Sequence, residues 1–217
     1  TVGREDRRMR IGVIGAGWLG STVGRLWVEA GHEVLFSSRT PSKLEELTAE
    51  LGDNAIAGSF LDAAEFGEVA LLSVRYPALP SLVMQVGDAL AGRIVLDACN
   101  PFPPDRAEVI AAVEAAGVAR TTQRHLPRAR LVRAFSSVDA DEIAVSAERR
   151  HGGRPLGVPL VSDDVEAMAV AEDLVRDCGC DPLNLGTMAH ARIIENGEAG
   201  FRLHANVDGL RSILMRA

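Results

Sequence analysis

The sequence predicts an α/β protein, a doubly wound and mostly parallel sheet with a small C-terminal helical extension. Three observations carry this expectation. Apolar runs such as Val69-Ala70-Leu71-Leu72-Ser73-Val74 read as strands buried on both faces. Helix-spaced segments alternate with these runs along the chain. The first apolar run also passes directly into a glycine turn that opens a helix, Gly15-Ala16-Gly17-Trp18-Leu19-Gly20.

Taken in order, residues 10–14 form the first strand and residues 18–30 the first helix, which stops at Gly31. Residues 33–38 are the second strand. Thr40-Pro41-Ser42 then opens a helix through Leu51, with Pro41 early, where its missing N–H is harmless. Residues 54–57 read as a short strand, and Ser59 caps a brief helix over residues 60–66. A strand over 69–74, a helix over 77–90 and a strand over 93–98 follow. Asn100-Pro101-Phe102-Pro103-Pro104 can continue neither kind of element and is a turn. A helix over 105–116 closes at Gly117, residues 121–127 are a short basic segment, and 129–135 resume strand character. Residues 155–161, 163–178 and 181–185 give strand, helix and strand; residues 187–217 are expected to be helical, interrupted around Gly197 and Gly200. The organisation expected is an extension over 1–8, a Rossmann-type nucleotide-binding domain over 9–195 and a C-terminal helical segment over 196–217.

Composition narrows the function. A net charge of -7 argues against a nucleic-acid partner or an anionic membrane surface. No apolar run approaches the roughly 20 residues of a membrane helix, and no secretory leader is visible. The three cysteines, Cys99, Cys178 and Cys180, are odd in number and form no C-x-x-C pair, which suits a reducing, cytoplasmic setting. Cys178-Gly179-Cys180 lacks a second ligand pair, so no metal site is expected. Among 23 basic residues only Lys43 is a lysine, and Tyr76 is the single tyrosine. A Schiff-base lysine or a Tyr-x-x-x-Lys dyad therefore has no place. Hydrolase and kinase signatures are also missing.

The glycine turn has a specific physical logic. Gly15 permits a tight turn, Gly17 admits a pyrophosphate close to the backbone, and Gly20 lets the helix pack on the strand. An NAD site places an acid at the end of the second strand, but here the sequence reads Ser38-Arg39-Thr40-Pro41-Ser42-Lys43. Two cations near a helix start ask for an anion, and a ribose 2′-phosphate supplies one. Ser73-Val74-Arg75 and Asn100-Pro101 leave the carboxyl ends of later strands, where the ribose and nicotinamide of a dinucleotide lie. Asn100 could bond the cofactor or cap its own turn; Arg75 and Tyr76 could shape an acceptor pocket or stack as a surface pair. His32, His125, His151, His190 and His204 read as structural or solvated, because no neighbouring carboxylate orients them. No catalytic residue is named.

In this order, the Gly15–Gly20 turn, Ser38-Arg39 with Lys43, Leu71-Leu72-Ser73-Val74, Asp97-Ala98-Cys99-Asn100-Pro101 and Ala129-Arg130-Leu131-Val132-Arg133-Ala134-Phe135 resemble the NADP oxidoreductase family that includes the NADPH:F420 oxidoreductases. The stretch from Cys180 to Gly186, continuing to Ala191-Arg192, is similar as well. The resemblance implies NADP(H) contacts from Ala16, Gly17, Trp18, Leu19, Ser38, Arg39 and Lys43, then Val74, Asn100 and Ala134. It implies direct hydride exchange with coenzyme F420; the leading expectation is a flavin-like or deazaflavin small-molecule acceptor. Arg75-Tyr76 departs from the family's proline-led turn, and the segment after Arg192 is more charged than the family's. The alternatives are an NADP(H) sensor or partner subunit without catalysis, and a small-molecule dehydrogenase or imine reductase. The latter usually adds a helical domain with a catalytic lysine or acid. A homodimer across the C-terminal segment is expected.

Overall fold

The computed structural model describes residues 8–102, 107–149 and 153–215. Residues 1–7 of the expected extension over 1–8, Pro103, Pro104, the expected helix start at Asp105, and His151 lie outside the described residues. The elements run β1 (Arg10–Ile14), α1 (Trp18–Glu29), β2 (Glu33–Ser37), α2 (Glu45–Leu51), β3 (Ala55–Gly58), α3 (Phe60–Phe66), β4 (Val69–Leu72), α4 (Leu79–Val86) and β5 (Ile94–Asp97). The second half adds α5 (Ala107–Ala116), α6 (Val118–His125), β6 (Arg130–Arg133), α7 (Ala140–Glu148), β7 (Gly157–Ser162), α8 (Val165–Asp177), β8 (Asp181–Asn184) and α9 (Val207–Leu214).

The strands form one sheet in the order β3-β2-β1-β4-β5-β6-β7-β8. Every pairing is parallel except β6 with β7. The chain winds outward from β1 to β3 and then returns to place β4 on the other side of β1. That reversal opens a crevice above the carboxyl ends of β1 and β4, the place where open α/β sheets bind ligands. The central strands are buried on both faces, so alternate residues feed two separate cores. Ile11, Val13 and Leu71 pack with Trp27, Phe36 and Val158 on one side. Ile14, Ala70 and Leu72 pack with Leu79, Leu131 and Leu210 on the other.

Helix α3 follows the reading from Ser59. The Ser59 hydroxyl accepts from the Asp62 N–H at 3.2 Å, and the Asp62 carboxylate accepts from the Ser59 N–H at 2.8 Å. This reciprocal cap satisfies two donors that the helix leaves open. Helix α1 lies unusually near the sheet because Gly20 and Gly24 face it. A Cβ at Gly20 would fall on the Gly15 carbonyl oxygen, and one at Gly24 would enter the Phe36 ring.

Three expectations need correction. Residues 121–127 are not merely a basic linker, since most of them belong to α6. Its N-terminus is capped from far away, the Glu195 carboxylate accepting from the Ala119 N–H at 3.0 Å. Helix α7 was not foreseen at all. The stretch over 187–217 breaks around Gly197 and Gly200 as expected but is less helical than expected: a 3-10 turn spans Met188–Ile194, and α9 is the only α-helix among its described residues. Between them Gly197 has a φ of 92°, and a Cβ at Gly200 would sit 2.6 Å from the Ile193 carbonyl oxygen. The chain therefore folds back there instead of continuing as a helix. No helix of the described residues is long and apolar enough to cross a membrane.

Candidate functional site

Strands β1 and β4 end side by side at Ile14 and Leu72. Gly15 leaves β1 with a φ of 100°, and a Cβ there would fall on the Ser73 carbonyl oxygen. Only glycine fits both demands. The Ala16 N–H donates to the Ser37 carbonyl at 2.8 Å, which ties the turn to the end of β2. Gly17 then caps α1 without a side-chain bond, and a Cβ on it would meet no atom within 4 Å. The N-terminus of α1, the positive end of its dipole, therefore borders open space at Gly17.

Two cavities meet over this turn. The first, of about 650 Å³, is walled by Gly15–Gly17, Ser38-Arg39, the start of α3 and Ser73–Arg75. Ser37 is buried and donates to the Val13 carbonyl at 2.7 Å, so the β2 end is fixed. Arg39 and Lys43 are exposed, and among the described residues neither has a carboxylate within 4.0 Å. Lys43 stands just outside the lining. A hydroxyl and an uncommitted guanidinium beside an open helix N-terminus are a donor set for phosphate.

The second cavity, of about 460 Å³, shares Gly17, Ser73, Val74 and Arg75 with the first and continues past Trp18, Leu19 and Asn100. Its far wall is the turn between the 3-10 segment and α9. Phe201 stands 6.2 Å from Phe102, centroid to centroid. The Arg202 Nε donates to Asp139 at 2.7 Å, and its backbone N–H donates to the Ser137 carbonyl at 2.9 Å. The His204 Nε2 accepts from the Asp139 N–H at 3.2 Å. The sequence suggests an acceptor site near His190 and His204 but not these contacts, because the partners of Phe201, Arg202 and His204 lie more than 60 residues away.

Below the floor lies a charged group that sequence reasoning passed over. The Arg133 side chain is wholly buried and donates to Asp97 at 2.8 Å, to the Cys99 carbonyl at 2.6 Å and to the Asn100 Oδ1 at 2.5 Å. The Asn100 Nδ2 donates in turn to the Ser136 carbonyl at 2.6 Å. Both ends of the Asn100 amide are thus held by the protein, and its role is neither a simple turn cap nor an uncommitted cofactor ligand. The available signal was an arginine inside an apolar strand, which asks for a buried acid.

Other expected residues sit differently. Tyr76 is not a surface partner of Arg75: its ring is buried, its hydroxyl donates to the Val118 carbonyl at 3.3 Å, and burial pushes its pKa up to about 12. It pins the β4 turn to α6 and keeps its proton at neutral pH. Arg75 is exposed and lines both cavities. Ala134 is fully buried, with its N–H donating to the Asp97 carbonyl at 3.2 Å, while its neighbours Phe135 and Ser136 line the second cavity. Pro101 is buried to one side, and Gly20 lies beneath the turn. The Cys99 thiol is pushed up by burial first and then by Asp97, which makes it inert. His32 is a buried brace, accepting from the Met9 N–H at 3.2 Å with Asp177 3.1 Å from its other nitrogen.

Residues 10–101 match the family model described as NADP oxidoreductase, coenzyme F420-dependent. That match takes in less than half of the chain, from β1 to the turn after β5. The matched span holds the glycine turn, Ser38-Arg39 and Asn100-Pro101. A further likeness, 28% identity over 193 residues, links the chain to the metalloreductase STEAP3 of Rattus norvegicus; it covers 86% of this chain but 36% of that protein. The chain thus spans about a third of the relative's length. Among solved structures, the hypothetical protein SMa0349 of Sinorhizobium meliloti aligns with a TM-score of 0.78 at 26% identity, covering 92% of this chain and 95% of that one. A protein of Arthrobacter sp. FB24, proposed to be an F420-dependent NADP-reductase, shares the fold with a TM-score of 0.72 at 24% identity over 85% of this chain and 87% of that one.

Proposed function

We propose that this protein is an NADP oxidoreductase and passes hydride between NADPH and a flavin-like or deazaflavin acceptor such as coenzyme F420, in the cytoplasm and as a homodimer. The observation that carries the reading is the pair of cavities joined over Gly17, Val74 and Arg75. One has the donor chemistry of a 2′-phosphate site and the other an apolar, aromatic lining.

The residues present fit the nucleotide. The open α1 N-terminus would face the pyrophosphate, and Ser38, Arg39 and Lys43 would take the 2′-phosphate. When bound, NADPH supplies the hydride. The protein's own work is placement: the Arg133–Asn100–Ser136 bonds hold the floor rigid, and the turn at Phe201-Arg202 closes the far side. Holding two rings in contact removes much of the entropic barrier, so no acid or base is required. The open cavity above Asn100 favours an enzyme over a sensor, which needs no room for an acceptor. The dimer reading draws on Ile213 and Met215, both exposed at the end of α9.

The likeness to a metalloreductase favours a second acceptor class, an oxidised metal chelate, two equivalents of which would take one electron each from NADPH while the proton is released; a ferric chelate is the probe. A screen of NADPH oxidation with F420, FMN, FAD and a ferric chelate tests the proposal. Turnover with a flavin or deazaflavin is the expected result. Turnover with the ferric chelate alone would replace that acceptor class, and silence with all four would favour the sensor.

A further inference from the structure

The chain has two tryptophans, one tyrosine and six phenylalanines. Five of these nine, Trp18, Tyr76, Phe102, Phe135 and Phe201, line the second cavity. Tyr76 and Phe135 are buried and committed to the core, Phe135 meeting Trp27 edge-on at 6.0 Å. Trp18 is 62% exposed at the first position of α1, and Phe102 is 48% exposed opposite the floor. An indole left in water at the mouth of an apolar cavity is surface without a partner.

The charges at the same mouth are unequal. Arg202 and Asp139 satisfy each other, the closest ion-pair contact being Arg202 Nη2 to the Asp139 Oδ1 at 2.5 Å. Arg133 is consumed by Asp97 beneath the floor. Arg75, on the shared wall, has no carboxylate within 4.0 Å among the described residues. The cavity therefore carries one uncompensated positive charge beside an apolar, aromatic lining.

We propose that Trp18 and Arg75 select the acceptor, Trp18 by stacking on a planar conjugated ring and Arg75 by pairing with an anionic group attached to that ring. This rests on the reading that the second cavity holds the acceptor. It gives that acceptor a chemical class and makes two residues of this chain answerable for it. An arginine is suited to both tasks required at such a rim, since its fork pairs with carboxylate or phosphate and its plane tolerates an aromatic neighbour. Arg75 also borders the first cavity, so the rival assignment is the nucleotide's pyrophosphate.

FMN and riboflavin separate these possibilities, because they share one ring system and differ by a phosphate. Each is titrated into the NADP⁺-saturated protein, followed by flavin fluorescence polarisation. Acrylamide quenching provides a second readout: Trp27 is fully buried, so Trp18 is the accessible indole. FMN should bind about tenfold or more tightly than riboflavin, the scale of a charge-assisted hydrogen bond. Arg75→Ala should bring FMN to the riboflavin level while leaving riboflavin binding as it was. Trp18→Ala should weaken both flavins about fivefold, the scale of one aromatic contact, with Trp18→Phe recovering most of it. Bound flavin should shield Trp18 from acrylamide.

Equal binding of FMN and riboflavin to the unaltered protein would overturn the role of Arg75. Loss of NADP⁺ affinity in Arg75→Ala would give that residue to the pyrophosphate and overturn it equally. Flavin affinity unchanged in Trp18→Ala would overturn the stacking role. If neither flavin binds while NADPH does, the ring-and-anion class itself is wrong, although NADPH oxidation by another acceptor would leave the hydride-transfer reading standing.

Discussion

Arg133 and Asp97 meet at 2.8 Å with neither side chain keeping any exposed surface. The pair joins β6 to β5 just under the second cavity, and its remaining bonds reach the Cys99 carbonyl and Asn100. A buried ion pair of this kind is weak as a source of stability but costly to break from one side.

Replacing Arg133 with Met should therefore destabilise the fold by about 3–5 kcal/mol, measured by urea unfolding, because it strands a buried carboxylate. Pairing it with Asp97→Leu should recover only part of that loss. The Cys99 N–H, which donates to Asp97 at 3.0 Å, and the Asn100 Oδ1 would still lack partners. Full recovery in the double variant would show that the network serves no structural purpose beyond the pair.

Gly20→Ala tests the approach of α1 to the sheet. The added methyl group would displace the Gly15 carbonyl, with an overpacking cost of about 1–3 kcal/mol. Thermal unfolding should register that cost, and NADPH titration should show weakened binding as the α1 N-terminus moves. A variant as stable as the parent and binding equally well would refute the close-packing account.

Acid stability should depend on Asp164. Hydrogen bonding from Arg130 first, then from the Ala167 N–H, holds its pKa down at about 2, against an ordinary 3.8. A depressed carboxylate stabilises the fold above its unfolded value, and that contribution fades as pH falls towards the folded value. Asp164→Asn keeps a good helix cap for α8 but loses the ion pair. The parent should thus exceed the variant in stability at neutral pH, and the gap should close between about pH 4 and pH 2. A gap independent of pH would assign the effect to capping alone.

Much of the fold was legible because its signals are local. Buried strands announce themselves as apolar runs, Ser59 and Asp62 form a cap within four residues, and Gly15, Gly17 and Gly20 have their spacing set by one turn. The reading of the first cavity as a nucleotide site rests on the same turn and on the missing acid near Arg39. What escaped depends on distant partners. Helix α6 is basic and starts at a glycine, and its cap is Glu195. Arg133 looks misplaced in a strand until Asp97 appears beside it on the neighbouring strand. The histidines seemed unoriented, yet His32 faces Asp177 and His204 faces Asp139. The wall at Phe201-Arg202 exists only because the C-terminal turn returns to Ser137 and Asp139.

The central claim is that Ser38, Arg39 and Lys43 make the first cavity a 2′-phosphate site. Parallel titrations of NADPH and NADH into the parent protein and Arg39→Ala test it most directly. The parent should bind NADPH far more tightly, and the substitution should weaken NADPH by roughly 1.5–3 kcal/mol while leaving NADH unchanged. Equal affinities in the parent, or an equal loss for both nucleotides, would contradict the account.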